Sequence, residues 1–153
     1  MLKDTEIIYL DKVESRQAVR MASQIGRASP AYCTGVGKAA LAALPQPRLD
    51  ALLDVTVLRP FTPHTIVERQ ALEAEIAAIR RAGHAIDREE HEAGIRCVAA
   101  AIFDQERTFI GGVSVTGPAY RVGEEALLDW APLVRATANA VMEEIAARLG
   151  PKG

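Results

Sequence analysis

IRCVAAAIFDQERTFIGGVSVT, residues 95–116, holds two apolar runs on either side of the polar tetrapeptide Asp104-Gln105-Glu106-Arg107. Such runs, bounded by a polar turn, read as a β-hairpin. A four-residue turn sets Phe103 opposite Thr108, Cys97 opposite Ser114 and Ile95 opposite Thr116, so that Ile95, Cys97, Ser114 and Thr116 share one face. A one-residue bulge, for which Gly111-Gly112 is a plausible place, would send half of them to the other face. Two hydroxyls and a thiol on one side of adjacent strands are costly to bury without hydrogen-bond partners. That face is therefore either wet, with Cys97 as a small core hydrophobe, or occupied by a ligand.

Upstream, HAID (84–87) reads as a short strand and DREEHEAG (87–94) as an acidic polar loop. Thr65 and Glu68 have capping-box spacing, Leu72, Ile76 and Ile79 share a helix face, and Gly83 supplies the stop. VTVLRPFTPHT (55–65) carries two prolines and reads as extended chain. A short helix is expected over 48–54 and another over KAALAALP (38–45), the latter entered from a Gly/Ser/Pro-rich loop at 26–37. EIIYL (6–10) and QAVRMAS (17–23) read as a strand pair. Downstream, Leu127, Ala131, Val134, Ala138, Val141 and Ile145 form one apolar stripe on a helix from about Glu124 to Leu149, which Pro132 is expected to kink or restart. This order suits an α+β domain with one mostly antiparallel central sheet flanked by helices.

The chain has 153 residues, 49% hydrophobic and 25% charged, which suits one soluble domain and excludes a disordered chain. Its longest apolar run, Cys97 to Phe103, is far short of the roughly 20 residues of a membrane span. Residues 1–15 lack the pattern of a signal peptide, so a cytoplasmic location is expected. Two cysteines, Cys33 and Cys97, lie far apart without a CxxC pair, so reduced thiols are expected rather than a disulfide or zinc framework. A net charge of −2 argues against nucleic-acid binding by this chain alone. The densest basic pair, Arg80-Arg81, reads as a solvated helix end.

Four constellations carry chemistry. Thr34-Gly35-Val36-Gly37-Lys38 leads into a helix, where converging N–H groups can hold a carboxylate or phosphate; a tight turn is the plainer reading. It is not a nucleotide P-loop, because Tyr32 stands where a glycine is required and Ala39 where Ser or Thr would hold magnesium. The face bearing Cys97, Ser114 and Thr116, with Asp87 beside it, is the second. A thiol enzyme, with Cys97 or Cys33 as nucleophile and His64, His84 or His91 as base, is the third, although no nucleophile-elbow pattern surrounds either cysteine. Asp87, Glu89, Glu90, His91 and Glu92 offer metal-ligand types, but such a run is more often a solvated acidic surface. No metal or cofactor is expected.

ASPAYCTGVGKAALAALP (28–45), LRPFTPHTI (58–66), IRRAGHAIDREEHEAGIRCVAAAIFD (79–104) and SVTGPAYRV (114–122) together resemble the effector-binding domain of IclR-family transcription regulators. The most specific block is D-x-E-E-H-x-x-G-x-x-C-x-A-A, residues 87–100. The resemblance covers nearly the whole chain and implies a GAF-like α+β fold. It implies that residues 1–153 are the domain that binds a small carboxylate effector, a keto acid, sugar acid or aromatic acid, without acting as an enzyme. The family's N-terminal winged helix-turn-helix domain, which reads DNA, is expected to be missing here. Matching motif positions assign the ligand to the backbone of Gly35 and Val36 and to Asp87, Ile95, Cys97, Ser114 and Thr116. Thr116 stands where many members carry Ser, and Tyr32 and Cys33 are expected to set ligand size. The resemblance also implies a homodimer or homotetramer. The rival expectation is a GAF-like thiol enzyme using Cys97.

Overall fold

The computed structural model of the chain describes residues 1–14 and 25–150. Its elements follow the order β1 (Leu2–Lys3), β2 (Glu6–Ile8), β3 (Ala28–Pro30), a 3-10 turn (Ala31–Cys33), α1 (Gly35–Ala43), α2 (Gln46–Val55), α3 (Arg69–Ala82), β4 (Ala85–Arg88), β5 (Ile95–Phe103), β6 (Phe109–Pro118) and α4 (Glu124–Leu149). The described strands divide between two three-stranded antiparallel sheets, β1-β2-β3 and β4-β5-β6, rather than forming the one sheet expected. In the first, Ile7 pairs with both Leu2 and Ser29, which brings the beginning of the chain beside the segment entering α1. The expected strand at 17–23 lies outside the described residues.

The β5–β6 hairpin forms with a different register. Cys97 pairs with Thr116, Ala99 with Ser114 and Ile95 with Pro118. Two one-residue changes produce this shift. Phe103 pairs with Phe109 rather than Thr108, and Ile110 bulges out where the register breaks between Ile102 and Phe103. Asp104 explains the longer turn: its carboxylate accepts the N–H groups of Glu106 and Thr108 at 2.9 and 2.8 Å, which holds Arg107 at a φ of 63°. A shift of two residues conserves side-chain parity, so Cys97, Ser114 and Thr116 still share a face.

That face meets α1, while the opposite face meets α4. On the α4 side, Ile86, Val98, Ala100 and Ile102 pack against Leu127, Ala131, Val134 and Ala138. The helix runs unbroken through Pro132. Its apolar stripe is buried only in the first half, since Val141 is exposed and Ile145 half-buried. On the α1 side, Val36, Ala40 and Leu41 join Leu49, Leu53, Leu72, Ile76, Ile7 and Ala99 in a second core.

Helix α1 begins at Gly35, three residues before the expected start. Both glycines therefore lie in the helix, where they permit close approach. A Cβ on Gly35 would overlap the Cys97 sulfur, and one on Gly37 would overlap the backbone of Ala31. The expected capping box at Thr65 does not form, because its hydroxyl is committed elsewhere. It accepts the N–H groups of Phe61 and Thr62 and donates to the Glu90 carbonyl, and α3 starts only at Arg69. At its other end Gly83 takes the left-handed conformation, φ 74°, that stops the helix. Arg80 is more than a solvated end: it donates to the carbonyls of Ala42 and Leu44, which α1 leaves unpaired.

Candidate functional site

A small cleft of about 30 Å³ opens at the N-terminus of α1. Gly35 and Thr34 form one wall, β4 and β5 supply Asp87, Ile95 and Cys97, and β6 supplies Thr116. Tyr9, just after β2, and Ser29 of β3 close it on one side, His91 and Glu92 from the loop after β4. Thr34 has the extended backbone of an N-cap, yet its hydroxyl donates to the Pro30 carbonyl at 2.9 Å and caps nothing. No side chain caps α1, so its first-turn N–H groups carry partial positive charge, with that of Gly35 turned toward the Cys97 sulfur.

Cys97 lies at the centre. Burial pushes its thiol up to about 12, with the nearby Asp87 charge adding to the rise; the Gly35 N–H and the Thr116 hydroxyl bond to the sulfur and oppose it. Burial likewise pushes Cys33 up to about 12. Thiols held this far above neutrality are poor nucleophiles, which weighs against the thiol-enzyme expectation.

Asp87 is 6% exposed. Its Oδ1 accepts the Glu90 N–H at 2.8 Å, and no described residue donates to Oδ2. Burial raises its carboxyl to about 7; the Glu90 N–H and Lys38 pull it down, while Glu90 and Glu89 push it further up. Behind it runs a buried ion cluster. Lys38 is fully buried and donates to Glu90 at 2.6 Å, Glu75 at 2.8 Å and the Ile86 carbonyl at 2.7 Å. Glu90 is itself buried, with Oε2 unpaired, and burial raises its carboxyl. The acidic block is thus partly internal: Asp87 and Glu90 point inward, against the expectation of a solvated acidic surface. It does not assemble a metal centre, since no group of three or more metal-ligating side chains occurs among the described residues.

Of the seven residues expected at the ligand, Gly35, Asp87, Ile95, Cys97 and Thr116 line the cleft, whereas Val36 and Ser114 line an adjoining groove beside β6 that shares Tyr9 and Thr116 with it. Tyr32 and Cys33 do not reach the cleft. The 3-10 turn sends both into the core, where the Tyr32 hydroxyl accepts the Arg59 N–H and donates to the Arg59 carbonyl. Tyr9 and Ser29 were not anticipated. No motif surrounds them, and only the pairing of β2 with β3 brings them here. Thr34, His91 and Glu92 stood inside conspicuous stretches without being singled out for the ligand.

Residues 1–143 match the family profile of the bacterial transcriptional regulator IclR C-terminal domain. The chain belongs to the IclR family. The Escherichia coli K12 HTH-type transcriptional repressor AllR is 31% identical over 146 residues, 95% of this chain and 54% of AllR. The IclR domain described here thus spans about half the length of the curated relatives it matches. The crystal structure of Thermotoga maritima IclR superposes with a TM-score of 0.89 at 35% identity, covering 93% of this chain and 57% of that one. The inducer-binding domain of an Acinetobacter PobR double mutant, solved as its 3-hydroxybenzoic acid complex, gives 0.80 at 25% identity over 92% of this chain and 83% of that one. This is an IclR effector-binding domain with the GAF-like α+β fold. No described helix is long and apolar enough to cross a membrane.

Proposed function

We propose that this IclR-type domain senses a small carboxylate, a keto acid, sugar acid or aromatic acid, whose carboxylate settles on the N–H groups at Gly35 and Val36. Asp87 and Thr116 then meet its carbonyl or hydroxyl oxygens, Ile95 and Cys97 form the apolar floor, and Ser114 reaches parts that extend into the groove. The observation that carries this reading is the uncapped first turn of α1 opening into a cleft. The aromatic acid bound by the PobR inducer-binding domain supports the same ligand class. In the intact regulator, a winged helix-turn-helix domain preceding residues 1–153 reads DNA, and two or four copies of this domain assemble. Ligand shifts that assembly by binding one of its states more tightly.

Thermal unfolding against pyruvate, glyoxylate, gluconate and 3-hydroxybenzoate tests the reading. An acid at 100 times its Kd adds about 2.7 kcal/mol, which raises the midpoint by about 5–10 °C for a domain of this size. The rise should vanish in Gly35→Ala, whose Cβ overlaps the Cys97 sulfur. Cys97→Ser should retune the affinity without abolishing it, whereas a thiol enzyme would lose its activity by orders of magnitude. No rise with any of the four acids would overturn the carboxylate reading.

A further inference from the structure

The charges around the cleft do not match those of an ordinary anion site. Its lining includes two carboxyl groups, Asp87 and Glu92, and no lysine or arginine. Lys38, the cation whose charge acts on Asp87, has three N–H donors and spends them on Glu75, Glu90 and the Ile86 carbonyl, with none to spare. An acid resting on the α1 N–H groups therefore meets no positive side chain. It meets Asp87 instead, whose Cβ lies 3.8 Å from where a Cβ on Gly35 would stand. Two carboxylates held side by side against a largely buried wall do not both stay ionised. The Asp87 oxygen that no described residue serves is the atom on which a proton would sit to donate to the ligand.

We propose that Asp87 meets the effector as a neutral carboxylic acid, so that the cleft takes up a monocarboxylate together with one proton and rejects dicarboxylates and phosphates. This inference rests on the carboxylate reading of the cleft. Binding brings in no net charge, which is what a site without a free cation can accommodate. A second anionic group would meet Glu92 in the lining and no lysine or arginine to balance it.

The groups facing Asp87 allow the proton to be assigned. Cys97 from β5 and Cys33 from the 3-10 turn are pushed up to about 12, and Tyr9, just after β2, is raised as well, so all three stay neutral through pH 9. Lys38 from α1 is ion-paired to Glu90. In the loop, Glu89 is held low by the Gly94 N–H and by Arg96, and burial lowers His91 and raises Glu90. His91 titrates below its ordinary value, and the Lys38 ammonium opposes the rise at Glu90. Asp87, raised to about 7 by burial, is then the group that changes state between pH 7 and 9.

Two measurements decide the matter. In the ligand-free domain, the ¹³Cγ resonance of Asp87, assigned with Asp87→Asn, should titrate with a midpoint near 7; a midpoint below 5 would overturn the proposal. Calorimetry with whichever of pyruvate, glyoxylate, gluconate or 3-hydroxybenzoate binds should show uptake of about one proton at pH 8, read from buffers of different ionisation enthalpy. The Kd should rise about tenfold per pH unit above the Asp87 midpoint, and Asp87→Asn should bind with a Kd that is level from pH 6 to 9. Malonate and inorganic phosphate should bind at least a hundredfold more weakly. A level profile in the unsubstituted domain, or malonate binding as well as pyruvate, would overturn the proposal and leave the carboxylate reading standing. Failure of all four acids to bind at pH 6 would sink both.

Discussion

The two faces of the β4-β5-β6 sheet are made by the same strands and stabilised in opposite ways. Toward α4 the contact is hydrocarbon on hydrocarbon: Val98, Ala100 and Ile102 against Leu127, Ala131 and Val134. Toward α1 the same strands present Asp87, Cys97 and Thr116, and the helix answers with a glycine and a buried lysine. Alternation along a strand allows both, because successive residues point to opposite faces. The first face stabilises by removing apolar area from water. The second keeps polar groups out of water for the sake of a site, and must hold them in position against the cost of burying them.

Three substitutions probe that contrast. Lys38→Met should cost about 3–5 kcal/mol in urea unfolding, because it strands Glu90 as an uncompensated buried charge. Adding Glu90→Leu to it should recover most of that loss, since an apolar pair of similar volume replaces the ionic one. A loss below 1 kcal/mol in the single variant would erase the distinction between the faces. On the α4 side, Leu127→Ala should cost about 2–5 kcal/mol through lost burial and the cavity left behind, while leaving acid binding at its original affinity. A large change in affinity would show that the dry face shapes the cleft as well.

The smallest expected effect has the opposite sign. Asp87 is raised in the folded chain to about 7, against an ordinary carboxyl value near 4 when unfolded. Above pH 7 both states are ionised and the folded state bears the cost of a buried charge. Below about pH 4 both are protonated and that cost is gone, so this group makes the domain more stable as pH falls between the two values. Asp87→Asn should therefore stabilise the ligand-free domain by about 2–4 kcal/mol at pH 8, and the gain should disappear near pH 4. A variant less stable than the parent at pH 8 would mean that the Asp87 charge is stabilising where it stands.

The apolar face was the easier to read. The repeats over Leu72–Ile79 and Leu127–Ala138, and the hairpin at 95–116, follow from periodicity and turn chemistry, which are local properties of the chain. Asp104 lengthened the turn and Ile110 bulged, yet the two errors in register added to an even number and kept Cys97 and Thr116 on the same side. The polar face depended on distant pairings that no window reveals. Nothing near Lys38 announces that its ammonium will lie between Glu75 and Glu90, and DREEHEAG looks solvated because only its partners turn it inward. Tyr9 and Ser29 enter the cleft for the same reason, through the pairing of β2 with β3. The glycine loop at Gly35 and the strand face of Cys97, with Asp87 beside it, were legible from the residues and again from the family resemblance, and the cleft brings all three together. Neither showed that Val36 and Ser114 would line the groove rather than the cleft, or that Tyr32 would bond to the backbone of Arg59.

The lysine at the heart of this domain also sets a timetable. The β5–β6 hairpin closes over five residues, 104–108, whereas Lys38 must find Glu90 across 52 residues of chain and the Ile86 carbonyl across 48. Short loops close first, and long ones close only after most of the chain has already condensed. The hairpin can therefore close while the ammonium still carries its water, which it sheds only once α1, α3 and β4 with the loop after it have met.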